Sequence, residues 1–233
     1  MRKEEYDRYD QLFPRLSDSL ALSDGCTLCQ EQGLGFVGRD IVWGNGARDA
    51  RLMVVGRDSA DRKPNERLWR GSRCTGLPLT NKKSGAKLRI MLAKADIYSR
   101  TTVFFTNTVK CNVGRDEPGL RLSFADLADV CLQHLRRELA IVRPKILIAL
   151  GEPAAERVWG FWHTRSSLPS VGLAPEVTLV GFHPFTGALN EAAGEDGGHA
   201  TVEVFALMHP SRVEGSREDP YVANLRAIVA RLS

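Results

Sequence analysis

The chain has 233 residues, 43% of them hydrophobic and 26% charged, which is ordinary for a soluble globular protein with a substantial core. Its longest purely apolar run, Ile146–Leu150, is far shorter than the roughly 20 residues that a membrane helix needs. Residues 1–6 also lack the apolar region of a secretory signal, so we expect a cytoplasmic protein without membrane contact.

The net charge is only +4, but its distribution along the chain is uneven. Residues 57–89 contain six arginines and four lysines against three acidic residues, a local charge of +7. Such a basic stretch on a near-neutral body favours a polyanionic partner, and nucleic acid is the common one. The alternative is a solvated loop whose charges have no partner.

Strands and helices alternate along the chain. Residues 51–55 form a short apolar run that ends at Gly56, as in a buried strand that leads into a loop. The apolar spacing of residues 85–96 predicts a helix. Residues 102–106 are β-branched and aromatic, which predicts the next strand.

A helix is predicted from Ser123, whose hydroxyl can cap it, with Asp126 in the first turn and Pro144 at the end. Its apolar face consists of Leu127, Cys131, Leu135, Leu139 and Val142. Residues 145–150 predict another buried strand, and a further helix begins near Pro153.

The segment 165–198 is rich in Gly, Pro, Ser and acidic residues, and its one predicted strand is Val177–Val180. Residues 201–207 predict a further strand, and a last helix follows Pro220. This alternation predicts a three-layer α/β/α sandwich around a mostly parallel sheet. Ligands of such sheets bind beyond the carboxyl ends of the strands.

Three short segments follow directly on predicted strands: Gly56–Ala60, Asn107–Cys111 and His209–Ser211. Together they bring a carboxylate, an amide, a histidine and a hydroxyl to one edge of the sheet. This combination is expected of a site that reads a polar ring and stabilises developing charge. Each residue also has a structural interpretation: Asp58 as a partner of a nearby arginine, Asn107 as a strand-end residue, and His209 as part of a capped turn.

Four cysteines form a pattern of Cys26-x-x-Cys29 followed by Cys111 and Cys131. In a reducing compartment structural disulfides are not expected, so the Cys-x-x-Cys pair indicates a metal or redox site. The alternative is a set of buried thiols, since Cys131 lies on the apolar face of its helix. Cys74 is interpreted as a spare thiol in a loop.

In order and context, these segments resemble the uracil-DNA glycosylase superfamily, most closely its iron–sulfur branch. The likeness spans nearly the whole chain. It is carried by Cys26-x-x-Cys29, the segment that opens at Gly56, Thr106-Asn107-Thr108-Val109-Lys110-Cys111, Cys131, the strand segment Arg143–Gly151 and His209-Pro210-Ser211.

The resemblance implies one domain over residues 1–233, a three-layer α/β/α sandwich whose central, mostly parallel sheet has four strands. It implies Cys26, Cys29, Cys111 and Cys131 as ligands of a [4Fe–4S] cluster, which would tie residues 1–50 to the core. Zinc is the alternative, because four cysteines can also hold that ion.

The resemblance also implies a monomeric DNA repair glycosylase that hydrolyses the N-glycosidic bond of uracil, or of a related deaminated base, in flipped-out nucleotides. Asp58 would stabilise positive charge on the sugar and hold the attacking water, and His209 would stabilise the departing uracil. Asn107 would read the uracil edge, while Ser211 and Arg212 would hold phosphates of the DNA.

The chain departs from the family in its first motif. The iron–sulfur branch usually carries Gly-Glu-x-Pro-Gly, whereas this chain has Gly56-Arg57-Asp58-Ser59-Ala60, so that Arg57 stands at the glutamate position of this substrate-binding loop. Leu79 occupies the position of the phenylalanine that stacks on uracil, and Trp69 is a possible substitute.

These departures leave an alternative from another class: a catalytically weak or inactive member that binds nucleic acid, with a structural iron–sulfur cluster. A third hypothesis is a hydrolase that keeps the scaffold and acts on another glycosidic or base substrate. The remaining histidines have no functional context: His134 and His163 are expected on the surface, and His183 in a structural turn.

Overall fold

The architecture is taken from a computed structural model of the chain. It describes residues 26–34, 42–58, 79, 84–111, 123–162, 185–188 and 201–232. The predicted strand Val177–Val180 lies outside these residues, as do Trp69, Cys74, His163 and His183.

Six strands of the described chain form one sheet, with the order β1-β3-β2-β4-β6-β5. They are β1 (Asn45–Gly46), β2 (Leu52–Gly56), β3 (Val103–Asn107), β4 (Ile146–Leu150), β5 (Phe185–Ala188) and β6 (Thr201–Leu207). The four central strands, β3, β2, β4 and β6, run parallel. The edge strands β1 and β5 pair antiparallel with β3 and β6.

The helices of the described chain lie between and after these strands. They are α1 (Leu28–Glu31), α2 (Ser84–Lys94), α3 (Ile97–Arg100), α4 (Phe124–Val142), α5 (Glu152–Trp162) and α6 (Glu218–Ala230). Two short 3-10 turns, Pro210–Arg212 and Gly215–Arg217, connect β6 to α6.

The two faces of the sheet are covered by different helices, because successive side chains of a strand point to opposite faces. Val54 and Phe105 pack in a cluster with residues of α2, α3 and α6. Val55 and Phe104 pack in a second cluster with residues of α4 and α5. The predicted three-layer α/β/α sandwich is therefore confirmed, with a hydrophobic core on each side of the sheet.

The parallel centre of the sheet agrees with the four-stranded expectation, and β1 and β5 extend it by one short strand on each side. The predicted bounds differ from the observed ones by a single residue in β2, β3 and β4, and those of β6 are the same. Among the described residues, no helix is both long enough and apolar enough to span a membrane.

Candidate functional site

The carboxyl ends of the parallel strands meet at one edge of the sheet, and the predicted site residues lie there. The last residues of β2 and β3, Gly56 and Asn107, are direct partners in the register. The loop after β2 runs alongside the segment after β3, since Thr108 N donates to Gly56 O at 2.9 Å and Val109 N to Arg57 O at 3.0 Å. The first two strand-end segments therefore form one wall.

Asn107 contributes a buried amide to this wall. The residue is only 1% exposed, and its side-chain oxygen Oδ1 has no hydrogen-bond partner among the described residues. A Cβ atom at Gly56 would lie 2.4 Å from this oxygen, so only glycine leaves room for the amide. A buried acceptor without a partner is costly unless a ligand supplies the donor.

Leu79, which lies between β2 and α2 in the sequence, is at the same corner. Its Cδ2 atom would lie 2.8 Å from a Cβ at Gly56, and the half-buried side chain packs against the core cluster of α2 and α6. Its φ angle of 55° is in the left-handed region, which is unfavourable for a leucine. Such strained residues cluster at ligand sites.

Asp58 is paired with its neighbour Arg57. The guanidinium and carboxylate are 3.4 Å apart, and the side chains are 34% and 39% exposed, so solvent screens the pair. The Arg57 guanidinium carbon also lies 4.9 Å from the centroid of the Phe124 ring. The structural interpretation of Asp58 as an arginine partner is thus observed, and its carboxylate still reaches solvent.

His209 follows β6, and its Cβ would lie 3.2 Å from a Cβ at Gly151, the residue after β4. Its Nδ1 atom accepts a hydrogen bond from Ser211 N at 3.3 Å and lies 2.7 Å from Ser211 Oγ. Because Nδ1 is an acceptor, the proton of the neutral ring is on Nε2.

The surroundings of His209 keep its ring neutral. Burial lowers its pKa below the ordinary value of 6.5, the Asp58 charge raises it, and the charges of Arg212 and Arg57 lower it. The Asp58 carboxylate and the His209 imidazole therefore interact electrostatically. Ser211 and Arg212 are exposed in the 3-10 turn beside them.

The four predicted cysteine ligands also come together. Cys29, Cys111 and Cys131 are buried in one cluster, and Cys26 is half-buried. Burial, together with the charges of Cys131 and Cys26, raises the pKa of Cys29 to about 11. The hydrogen bond from Cys111 and one from the Lys110 backbone lower the pKa of Cys131.

The four thiols are a donor set that suits an iron–sulfur cluster, which takes one thiolate at each of four corners. Among the described residues, no group of three or more His, Cys, Asp and Glu side chains is arranged so as to hold a single metal ion. Cys29 lies in α1 and Cys26 two residues before that helix, Cys111 follows β3, and Cys131 lies in α4, so three separate parts of the chain contribute.

His134 is not on the surface, and that expectation was wrong. It is 7% exposed, its Nε2 lies 3.3 Å from Cys26 Sγ, and it meets the Trp43 ring edge-on at 4.7 Å. Burial, with the charges of Lys110 and Arg137, lowers its pKa to about 4. His134 lies seven residues after Leu127, which puts it on the apolar face of α4. Its burial could therefore have been predicted from the sequence.

A second group that sequence reasoning missed is the buried ion pair of Lys110 and Glu138. Their charged atoms are 2.5 Å apart, and both residues are 0% exposed. Glu138 lies seven residues after Cys131, again on the apolar face of α4, and this position was its only signal in the sequence.

The chain matches the family described as the uracil DNA glycosylase superfamily over residues 43–232. This range includes all four parallel strands and the segments that carry Asp58, Asn107 and His209. The match covers most of the chain, and the fold and strand-end site described above agree with it. The chain therefore belongs to the uracil DNA glycosylase superfamily.

Proposed function

We propose that this protein is a DNA glycosylase that hydrolyses the N-glycosidic bond of uracil, or of a related deaminated base, in DNA. The observation that carries the proposal is the buried Asn107 amide, whose Oδ1 has no partner among the described residues. It lies beside Leu79 and Gly56, at the same strand edge as Asp58 and His209.

The amide of Asn107 suits the edge of uracil. Its oxygen can accept the uracil N3 proton, and its NH₂ group can donate to O4. Cytosine presents an acceptor at N3 and a donor at N4, so it would leave buried groups of the site unpaired. Discrimination of this kind is strong, because a hydrogen-bonding site rejects a ring with the wrong donor pattern.

The bond cleavage separates charge, and two side chains fit the two ends. As the C1′–N1 bond breaks, its electron pair leaves with the base, and Nε2–H of the neutral His209 would donate to uracil O2. The Asp58 carboxylate would stabilise the positive sugar and orient the water whose oxygen bonds to C1′. The proton lost by that water passes to the carboxylate or to solvent.

DNA would be held beside this site. Ser211 and Arg212 are exposed next to His209 and suit phosphate oxygens, which bind hydroxyl and guanidinium donors. The basic stretch of residues 57–89 adds positive charge; of its described residues, Arg57 and Lys87 are partly exposed, whereas Arg89 is buried against the Phe105 ring. The target nucleotide would be flipped out of the stack to reach Asn107.

We further propose that Cys26, Cys29, Cys111 and Cys131 hold a [4Fe–4S] cluster. When bound, such a cluster would cross-link α1, the end of β3 and α4, and it could also exchange single electrons. Lys110 N–H donates to the Cys131 sulfur, and the His134 ring lies against Cys26, so two of the four sulfurs have polar neighbours. Such hydrogen bonds orient ligands and tune a metal centre.

A weaker or lost activity is the second candidate, and the Arg57–Asp58 pair favours it. The Arg57 guanidinium partly neutralises the Asp58 carboxylate that would stabilise the sugar. Leu79 also stacks on a base less strongly than an aromatic ring does. In that case the protein would bind nucleic acid without efficient excision.

A panel of oligonucleotides containing uracil, hypoxanthine or xanthine, single- and double-stranded, tests the proposal with purified protein. We expect excision of at least one of these bases by the wild type. The Asp58→Asn variant should lose most of this activity and still bind the same DNA. DNA binding without excision of any base by the wild type would favour the second candidate.

A further inference from the structure

Lys110 and Glu138 are the most deeply buried charged residues of the described chain, and the steps proposed above do not use them. Both are 0% exposed. A buried ion pair is weak evidence for stabilisation, because well-packed apolar residues of similar size often give an equally stable protein. Its role is therefore to be sought in the groups that it contacts.

The Lys110 ammonium has three N–H groups, and three acceptors surround it. Nζ lies 2.5 Å from Thr106 Oγ1, 2.6 Å from the backbone oxygen of Asn107 and 2.5 Å from Glu138 Oε2. The donor capacity of the ammonium is thus used completely. Two of these acceptors belong to the last two residues of β3.

Glu138 joins this group to a third part of the chain. Its Oε2 accepts from Thr106 Oγ1 at 2.6 Å, and its Oε1 accepts from Gly44 N at 2.8 Å. The backbone oxygen of Lys110 accepts from Val42 N at 2.7 Å. The network therefore fastens the end of β3, helix α4 and the segment before β1 to one another.

The network lies behind the side chain of Asn107. Thr106 and Asn107 are consecutive strand residues, so their side chains point to opposite faces of the sheet. Thr106 faces α4 and Glu138, whereas Asn107 faces Gly56 and Leu79. Lys110 holds the Asn107 carbonyl from the α4 side, opposite the face that would meet a base.

We propose that Lys110, held by Glu138, is a positioning residue that fixes the backbone of Asn107 and thereby aims its amide at the base. This inference rests on the proposed function. Lys110 contacts neither base nor sugar in this arrangement, and it acts through Asn107. Its importance follows from geometry, because a displacement of about 1 Å at a substrate-positioning group can slow a reaction about 100-fold.

The variant that isolates this role is Lys110→Met combined with Glu138→Gln. The glutamine can still accept from Gly44 N and bond to Thr106 Oγ1, so no charge is left buried and unpaired. The three hydrogen bonds of the Lys110 ammonium are lost, but Thr106 Oγ1 and the residue at 138 still have each other as partners, so the Asn107 carbonyl is the acceptor left without its donor. Lys110→Met alone would leave the Glu138 carboxylate buried without its cation. A slower rate in that variant could then reflect either lost stability or lost positioning of Asn107.

Two further variants serve as controls. Lys94→Met removes an exposed lysine that pairs with Glu218 far from the strand edge, and it should leave excision unchanged. Lys110→Arg keeps a buried cation whose planar donors can reach fewer of the three acceptors, so it should recover only part of the rate lost in the double variant.

Three properties are measured. They are the single-turnover rate of uracil excision as a function of protein concentration, the melting temperature, and the ¹H–¹⁵N resonances of the Asn107 side-chain amide. For the double variant we expect a melting temperature close to that of the wild type. We also expect a maximal rate lowered about tenfold to 100-fold with little change in the concentration for half-maximal rate. The amide resonances should broaden or split.

A folded double variant with wild-type excision and a single sharp amide pair would overturn the inference. The amide resonances test the positioning role separately from the proposed function. If the wild type excises no base, the proposed function fails, and the resonances still report whether Lys110 holds Asn107. If the wild type excises uracil and the resonances do not change, the positioning role alone fails.

Discussion

At the scale of single residues, the site depends on how little space surrounds the Asn107 amide. Gly56 lies directly beside it in the register, and any larger residue there would contact both Oδ1 and Leu79. An acceptor held in this way is preorganised for a donor on the ligand, and it does not need to reorient when a base binds. The strained backbone of Leu79 belongs to the same corner.

The titration of His209 tests whether Asp58 and Arg57 share its site. The Asp58 charge raises the pKa of His209, and the Arg57 charge lowers it. We therefore expect Asp58→Asn to lower this pKa and Arg57→Gln to raise it, measured by NMR titration of the His209 ring protons. Shifts in the same direction, or none in either variant, would contradict the geometry.

The sign of the linked stability follows from the same pKa. The folded-state pKa of His209 lies below its ordinary value of 6.5, so the unfolded chain binds more protons in the window between them. The contribution of the neutral ring to stability is present above pH 6.5 and is lost as the pH falls through the folded-state value. Arg57→Gln should raise the folded-state pKa of His209 and thereby narrow the pH range over which stability changes.

The residues at strand ends were predictable from the sequence, because parallel strands bring their carboxyl ends to one edge. Asp58, Asn107 and His209 each follow a run of apolar or β-branched residues. Lys110 and Glu138 were not predictable as a pair, since they are 28 positions apart and meet only when α4 packs on the sheet. His134 was misread because a histidine was assumed to be solvated, although its helical position was apolar.

At the scale of elements, helix α4 carries much of what surrounds the site. It provides Cys131, His134 and Glu138 on the face that packs against the sheet, and all three are buried. Its start is well defined: Ser123 caps the helix, as the sequence indicated, and Asp126 bonds back to Ser123 to complete a capping box. Its end at Val142 precedes Pro144, which also agrees with the sequence.

Removal of the helix cap tests this account of α4. Ser123→Ala should lower the free energy of unfolding by about 1 kcal/mol, because the backbone N–H of Asp126 loses its acceptor. Ser123→Asn should retain most of the stability, because an asparagine side chain can cap in the same way. Chemical denaturation of both variants checks this, and equal losses would contradict a capping role.

The short edge strands could not be predicted from the sequence. β1 has two residues and β5 has four, and both contain a glycine, so no periodic pattern could develop. They pair because a neighbouring edge offers free hydrogen-bonding groups, which is a property of the assembled sheet. The long central elements were predictable because their burial imposes a pattern on their residues.

At the scale of the whole molecule, the cysteines join parts of the chain that are distant in sequence. Cys26 and Cys29 precede the sheet, Cys111 follows the strand of Asn107, and Cys131 lies in α4. A cluster held by these four thiolates would fix the segment around α1 to the core that carries the strand-end residues. The positive charge of residues 57–89 on the same chain suits the DNA substrate proposed above.

Metal analysis tests the cluster. We expect the purified protein to be brown, with about four irons and four sulfides per chain and a broad visible absorption that Cys26→Ser or Cys111→Ser abolishes. Cys74→Ser should leave the colour unchanged and serves as the matched control. A colourless protein with one zinc per chain would show that the same thiols hold a different metal.

Single-turnover release of free uracil from duplex DNA, identified by mass spectrometry, tests the central claim most directly. We expect the wild type to release uracil and not cytosine from matched duplexes, and Asn107→Leu to be slower by about 100-fold or more because the base edge loses its partner. Wild-type protein that releases neither uracil nor, from the corresponding duplexes, hypoxanthine or xanthine, or an Asn107→Leu variant as fast as the wild type, would contradict the account.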